Sequence, residues 1–232
     1  MAKTRITWLG HSACRIDTPE GKAIWIDPWL SGNPSCPDRD RKPARVDAIL
    51  VTHGHGDHLG DVVALARAHK PRVVCVHEIA LWLQSKGIAN LHGMNKGGAQ
   101  EVCGARVTMV HADHSGAIED GDRLVYGGEP AGYIVELSDG LRVYHAGDTA
   151  LFGDMRLIGE LYRPDLALLP IGDLYTMGPR EAAKAVEFLN VRRVLPIHWG
   201  TFPALTGRPE QLAELVRARG VEVVSLRPGE SL

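Results

Sequence analysis

The sequence contains few cysteines, and none of them forms a recognisable pair. The four cysteines among 232 residues, Cys14, Cys36, Cys75 and Cys103, are far apart and include no Cys-x-x-Cys spacing. This pattern excludes a disulfide framework and a zinc ribbon as the basis of the fold. We therefore interpret these cysteines as small buried apolar side chains.

The sequence also lacks a long apolar run. No stretch of about 18 apolar residues is present that could cross a membrane. The first residues, Met-Ala-Lys-Thr-Arg, do not resemble a signal peptide. We predict a cytoplasmic protein with no membrane partner.

An excess of positive charge is missing as well. The chain carries 26 Lys and Arg against 28 Asp and Glu, a net charge of −2. Enzymes that act on nucleic acids usually present a basic stripe, because neutralising phosphates supplies most of their affinity. One basic cluster, at 39–45, alternates with acidic residues and proline, so we interpret it as a solvated loop. We expect a small-molecule substrate and no nucleic acid, and a homo-oligomer is left open.

Residues 51–61 hold the densest group of metal-binding side chains. His53, His55, Asp57 and His58 fall within six positions, after a β-branched apolar run and before a helical pattern. The residues at 53 and 55 can converge from an extended segment, whereas Asp57 and His58 open the helix and point to the other side. Imidazole and carboxylate groups in this arrangement suit two divalent ions side by side. The structural alternative, histidines clustered by chance, is disfavoured by this density.

The periodicity of apolar residues predicts alternating strands and helices within one domain, residues 1–232. Predicted strands lie at 3–9, 13–17, 23–27, 46–52, 72–76, 100–103, 105–111, 133–137, 141–145, 165–170, 192–196 and 221–225. Predicted helices lie at 59–69, 77–86, 179–189 and 209–219. Residues 28–43, 92–98 and 118–128 are polar or rich in glycine and predict loops.

The motif at 53–58 resembles the signature of the metallo-β-lactamase superfamily, His-x-His-x-Asp-His. Further matching pieces extend along the chain: Gly10-His11-Ser12, Asp27-Pro28, His114, Gly147-Asp148 and His198. Within the superfamily the chain looks most like the metal-dependent hydrolases of the UPF0173 group, which are similar to ascorbate-6-phosphate lactonases. This resemblance implies an α/β fold, a four-layer αββα sandwich of two sheets packed face to face and covered by helices.

The resemblance also implies a ligand set for two ions. His53, His55 and His114 would bind the first ion, Asp57, His58 and His198 the second, and Asp148 would bridge them. Zinc is the favoured metal, with manganese, nickel and iron as alternatives. Asp57 and Asp148 are the predicted catalytic residues, and Asp57 would also hold the hydroxide or pass a proton to the leaving group. His111 aligns with no ligand position and is interpreted as a bystander or as support for a ligand.

Five further residues are candidates for contacting substrate or supporting a ligand. For His11, in a turn that the resemblance places at the edge of the metal cleft, both roles are considered. For His92 two interpretations are considered, a plain loop residue and a residue at the edge of the site. His145 would orient a ligand or contact substrate. Asp173 and Thr176 follow a predicted strand and by resemblance line the cleft, with an ordinary surface loop as the alternative.

These residues favour a metal-dependent hydrolase that uses hydroxide bound between two ions. By analogy with the lactonase branch, we expect a small ester or lactone, with a phosphorylated form included. The first alternative is a phosphodiesterase or ribonuclease. The others are a di-iron redox protein and a metal-binding protein without catalytic activity.

Overall fold

The computed structural model describes residues 3–232, so the first two residues of the predicted domain lie outside the described part. The first half of the chain forms one sheet together with three helices. Its strands are β1 (Arg5–Trp8), β2 (Cys14–Asp17), β3 (Ala23–Ile26), β4 (Ala48–Leu50), β5 (Arg72–Val76) and β6 (Leu91–Met94). Its helices are α1 (Gly56–Leu59), α2 (Val62–His69) and α3 (His77–Ser85), and a 3₁₀ turn lies at Asp38–Asp40.

The second half forms a larger sheet, a separate hairpin and three helices. Its strands are β7 (Ala99–Val102), β8 (Ala105–His111), β9 (Ala117–Asp120), β10 (Arg123–Tyr126), β11 (Ala131–Glu136), β12 (Arg142–His145), β13 (Leu166–Pro170), β14 (Arg193–Ile197) and β15 (Glu222–Val223). Its helices are α4 (Met155–Tyr162), α5 (Pro179–Leu189) and α6 (Pro209–Val216), and a 3₁₀ turn at Arg217–Arg219 follows α6.

Two sheets pack face to face between outer helices, as the αββα prediction requires. The first sheet has the order β1-β2-β3-β4-β5-β6, the second β15-β14-β13-β12-β11-β8-β7, and β9 pairs with β10. Successive side chains along the strands of the second sheet point to opposite faces, so this sheet contributes residues to two hydrophobic cores. Val143 of β12 and Leu168 of β13 face the first sheet in the larger core. Tyr144 and Leu169 point the other way, into a core shared with α4, α5 and α6.

Most predicted elements are present with shifts of one or two residues at their ends. The predictions for Arg72–Val76 and Pro179–Leu189 match the observed bounds. The proline at the first turn of α5 explains the accuracy there, because its fixed φ favours a helix start. The predicted helix at 59–69 is two helices, α1 and α2, and the helix at 77–86 ends one residue earlier.

Two loop predictions are wrong. Residues 92–94 of the segment predicted as a loop belong to β6. Gly93 there lets the backbone approach Ala80 of α3, because an added Cβ would lie 3.1 Å from the alanine Cβ. The segment 118–128 contains most of the β9–β10 hairpin, turned at Gly121 with φ of 62°. Helix α4 was not predicted, although its buried residues, Met155, Ile158 and Gly159, recur at helical spacing.

No described helix has the length and apolar character that a membrane crossing requires.

Candidate metal centre

The candidate ligands collect where strands of both sheets end. Thr52 and His53 follow β4, Asp148 follows β12, and His198 follows β14. Strand β4 runs parallel to β3 in the first sheet, and β12, β13 and β14 run parallel to one another in the second. Because parallel strands end at the same edge, side chains distant in sequence meet in the crevice between the sheets.

His53, His55 and His114 form the first group of metal-binding atoms. One ring nitrogen of each lies within 4.8 Å of the others. His53 Nε2 is 3.0 Å from His55 Nδ1, and the ring centroids of His53 and His114 are 5.2 Å apart. His53 is buried, whereas His55 and His114 are partly accessible from solvent.

The second group contains four residues rather than the three predicted for the second ion. Atoms of His11, Asp57, His58 and His198 lie within 4.8 Å of one another. His11 Nε2 donates to Asp57 Oδ2 at 2.9 Å, and His198 Nε2 is 3.8 Å from the same oxygen. His11 therefore contacts the candidate ligand Asp57 directly.

Asp148 lies between the two groups. Its Oδ2 is 3.0 Å from His198 Nε2, 3.3 Å from His58 Nε2 and 3.7 Å from His114 Nε2. Its side chain is almost fully buried, and Ser12 Oγ donates to its other oxygen at 3.4 Å. A carboxylate among three imidazoles from three different parts of the chain has the position of a bridge.

Asp27 and Thr52 orient the two halves of the site, and neither was among the predicted site residues. Asp27 Oδ2 accepts from His58 Nδ1 at 2.8 Å and from Thr52 Oγ1 at 2.7 Å. Thr52 Oγ1 in turn accepts from His53 Nδ1 at 2.9 Å. When each ring is neutral, these bonds hold the proton of His53 and of His58 on Nδ1 and leave a lone pair on Nε2 that can bind a cation. The Asp-Pro that ends the buried strand β3 was the available sequence signal.

Burial and neighbouring charges set the protonation of the group. Burial lowers the pKa of His53, His55 and His114, and for His11 it outweighs the bond to Asp57 and lowers the pKa to about 4. Burial opposes the charge of His198 and His58 too, but Asp148 beside both raises the pKa of His198 to about 9 and that of His58 well above its usual value. Burial likewise opposes ionisation of Asp57 and Asp148, yet contacts with histidines hold the pKa of each carboxyl well below its usual range.

Several site residues have unusual backbone conformations. His11, Asp27 and His198 all lie in the left-handed region, with φ of 54°, 48° and 54°. Non-glycine residues adopt this conformation at a cost and only where surrounding contacts impose it. Gly147 has φ of 63°, and an added Cβ would lie 2.9 Å from the Thr52 Cβ. The approach of Asp148 to the metal loop thus requires glycine before it.

The donor set fits divalent cations. Imidazole nitrogens and carboxylate oxygens bind zinc, manganese, nickel and iron. Among the described residues, His58 Nε2 and His198 Nδ1 are buried polar atoms without a hydrogen-bond partner. For His58 the unpaired nitrogen faces the Asp148 carboxylate, which is the arrangement that a shared cation satisfies.

The remaining predicted residues divide between the site and the surface. His145 is buried beneath Asp148, accepting from Gly147 N and donating to the carbonyl of Ser12. His92 lies on β6, contacts Asn90 and belongs to none of the metal-binding groups found among the described residues. His111 is exposed, with Lys96 and Phe152 beside it.

Asp173 and Thr176 lie in the segment that follows β13. Asp173 is exposed, and its carboxylate accepts from Leu174 N at 2.8 Å. Thr176 Oγ1 contacts the carbonyl of Met177. The segment is near the site, because Met177 N donates to the carbonyl of Thr149, which follows Asp148.

Comparison with known proteins gives a consistent result. The family model described as Beta-lactamase superfamily domain matches residues 22–199. A UPF0173 metal-dependent hydrolase of Koribacter versatilis is 52% identical over 227 residues, covering 98% of this chain and 97% of the relative. One from Rubrobacter xylanophilus is 52% identical over 233 residues, covering 99% and 96%. The solved structure of a metallo hydrolase from the archaeon Ignicoccus hospitalis matches with a TM-score of 0.87 at 36% identity, covering 99% and 97%.

Proposed function

This chain belongs to the Beta-lactamase superfamily domain family and is a metal-dependent hydrolase, and on that basis we propose that it hydrolyses a small ester or lactone, phosphorylated or not, with two divalent ions. His53, His55 and His114 would hold one ion. Asp57, His58 and His198 would hold the other, with Asp148 shared between the two. Zinc is the proposed metal.

The observation that carries the proposal is the position of Asp148. One of its oxygens lies within 3.7 Å of Nε2 atoms from His58, His114 and His198. A buried carboxylate surrounded in this way supports a pair of ions rather than one, because it contacts His114 of the first group and His58 and His198 of the second. Thr52 and Asp27 bind Nδ1 of His53 and His58, so that Nε2 of each neutral ring has a lone pair for a cation, which supports the same assignment.

Two ions bound there would supply activation of water and polarisation of the substrate oxygen. Asp57 is the carboxylate placed to handle the proton. Its side chain is 31% exposed, whereas that of Asp148 is 3% exposed. We therefore assign to Asp57 the role of orienting the attacking water and passing its proton to the leaving group.

His11 keeps Asp57 in place. The pKa of His11, lowered to about 4 by burial, makes the ring neutral at pH 7. With its proton on Nε2 toward Asp57, its Nδ1 accepts from Thr201 Oγ1 at 3.0 Å. This chain of bonds fixes the carboxylate that faces the open side of the site.

The test is hydrolysis by the purified protein loaded separately with zinc, manganese, nickel or iron. Substrates are a panel of p-nitrophenyl esters, lactones with and without phosphate, and bis-p-nitrophenyl phosphate. We expect kcat/KM for an ester or lactone to exceed that for the phosphodiester. A preference for the phosphodiester would contradict the proposal and favour the nuclease alternative. Metal analysis of the same samples should give two ions per chain.

The variant Asp57→Asn tests the catalytic assignment. We expect it to lower kcat by about two to four orders of magnitude without unfolding, as loss of a group that handles protons does. The matched control is His111→Gln, an exposed histidine outside the metal-binding groups, which should keep wild-type activity. Wild-type kcat in Asp57→Asn would refute the role of this carboxylate.

The cytoplasmic location stays a prediction. It is supported by the four cysteines, which are all free thiols. A small-molecule substrate without nucleic acid also stays a prediction.

A further inference from the structure

Two aromatic side chains lie beside His11. The ring centroids of Trp29 and Phe202 are 5.2 Å and 5.7 Å from the His11 centroid, and 6.0 Å from each other. The two residues come from different loops: Trp29 follows the end of β3, and Phe202 follows His198 after β14. Because His11 bonds to Asp57, this aromatic pair borders the candidate metal centre on its Asp57 side.

Trp29 is held in place by close packing. A Cβ added at Gly60 would lie 2.7 Å from the Trp29 ring, and one added at Gly32 would lie 2.6 Å from its indole nitrogen. Asp61 fixes the same loop, since its carboxylate accepts from the backbone nitrogens of Leu30 and Ser31 at 2.6 and 2.9 Å. Asp61 lies two residues after helix α1 of the metal-binding motif, so these bonds connect the loop that carries Trp29 to the motif.

Both aromatic residues remain accessible. Phe202 is 40% exposed and Trp29 is partly exposed. Four of the five tryptophans, Trp8, Trp25, Trp82 and Trp199, donate their indole N–H to an acceptor in the protein. For Trp29, no acceptor is found within the described 3–232 range. An accessible aromatic surface with a free donor is suited to contact a ligand.

In the part of the chain that the structure describes, Asp57 and Asp148 form ion pairs with histidines and with no lysine or arginine. The charged groups that most affect the pKa of the site histidines are other histidines, aspartates and Glu119. A phosphoryl group on a substrate usually requires arginine or lysine, which bind it with charge-assisted hydrogen bonds.

We infer that Trp29 and Phe202 form an aromatic clamp for an uncharged apolar group of the substrate, so that the enzyme selects esters or lactones with an alkyl or aryl substituent over phosphorylated ones. The inference rests on the proposed function and narrows its substrate class. Trp29 supplies the fixed wall, and Phe202 supplies the exposed wall on the loop that follows His198.

The size of the effect follows from apolar burial. Burying one methylene completely contributes about 0.8 kcal/mol, which corresponds to about a fourfold change in affinity. A hexanoyl group has four methylenes more than an acetyl group, and contact with two open ring faces would bury them in part. We expect roughly tenfold tighter binding of the longer group, a difference that Phe202→Ala should remove.

The experiment compares p-nitrophenyl acetate, p-nitrophenyl hexanoate and 6-phosphogluconolactone, with zinc-loaded wild type, Phe202→Ala and Trp29→Phe. Leu161→Ala is the control, since this 72% exposed apolar residue lies on the outer helix α4. We expect Phe202→Ala to raise KM for the hexanoate ester roughly tenfold, with kcat and the acetate KM nearly unchanged. Trp29→Phe should show a smaller change, and Leu161→Ala none.

A binding measurement separates failure of the clamp from failure of the proposed function. Calorimetric titration of the zinc-loaded protein with hexanoate and acetate requires no turnover. If the wild type hydrolyses no ester or lactone but hexanoate still binds better and Phe202→Ala abolishes the difference, the proposed function fails and the clamp stands. Equal binding of the two acids, or preference for the phosphorylated lactone, would overturn the clamp.

Discussion

Replacement of Asp27 by asparagine should damage both halves of the metal site, although Asp27 is not a candidate metal ligand itself. The carboxylate is fully buried and accepts three hydrogen bonds, from Thr52 N at 2.8 Å, Thr52 Oγ1 at 2.7 Å and His58 Nδ1 at 2.8 Å. An asparagine of the same size has one oxygen and one NH₂ group. In either orientation its NH₂ faces a donor, the Thr52 N–H or the His58 Nδ1–H.

The consequence for the metal site follows from the position of the ring proton. To accept from the asparagine NH₂, His58 must move its proton to Nε2, the atom that faces Asp148 at 3.3 Å. Nε2 then has no lone pair for a cation. Loss of a supporting hydrogen bond to a ligand commonly lowers metal affinity about 10-fold to 100-fold. The buried mismatch should also reduce the free energy of unfolding by about 1–3 kcal/mol.

The assay is competition for zinc against a fluorescent chelator at pH 7, with urea denaturation in EDTA to measure stability. Asp165→Asn is the matched control, because this carboxylate is 42% exposed and bonds to Arg142 where β13 begins. We expect wild-type zinc affinity for the control and a loss for Asp27→Asn. A folded Asp27→Asn protein with wild-type affinity would refute the assignment of Asp27 as the residue that orients His58.

Three further predictions concern protons and the backbone. Metal uptake at pH 7 should release about two protons, because His58 and His198 have raised pKa values and must deprotonate to bind. Calorimetry in buffers of different ionisation enthalpy measures the number of protons released. Metal binding without proton release would contradict this prediction. The metal-free protein should lose stability as pH rises, because the pKa of His198 is raised from 6.5 to about 9. Protonated His198 stabilises the fold fully below pH 6.5, and this contribution disappears as the pH rises through 9. Urea denaturation in EDTA from pH 6 to 9 should therefore show a falling free energy of unfolding, and a rising one would argue against the prediction. Gly147→Ala should reduce the free energy of unfolding by about 2–4 kcal/mol from its positive φ and its contact with Thr52, whereas Gly153→Ala, with open space around it, should change little.

The fold was predictable where local pattern and tertiary role agree. Helix α5 has its proline at the first turn and small or apolar residues facing the sheet, so its bounds could be read directly. Strand β6 was missed because Gly93 looks like a loop residue, although here it makes room for α3. The β9–β10 hairpin was missed because its buried residues, Ile118 and partly Val125, are too few to show alternation in a polar segment.

Some parts of the candidate site could be predicted from the sequence, and others could not. The cluster at 53–58 is visible in sequence because its four donors are adjacent. The positions of His114, Asp148 and His198 came from a family resemblance, and the structure brings all three to that cluster. The direct contact of His11 with Asp57 and the role of Asp27 could not be predicted, because each depends on a hydrogen bond between residues 46 and 31 positions apart.

The amino-acid sequence by itself determined the chemistry available to this protein: imidazoles and carboxylates suited to divalent metals, a nearly neutral surface and no disulfide framework. These properties depend on residue types and short spacings, which do not require the chain to be folded. The tertiary structure alone decided which histidine nitrogens are free, which carboxylate lies between the two groups, and which aromatic rings border them. Those features arise where strands of two sheets end beside each other, so they depend on long-range packing that no local pattern contains.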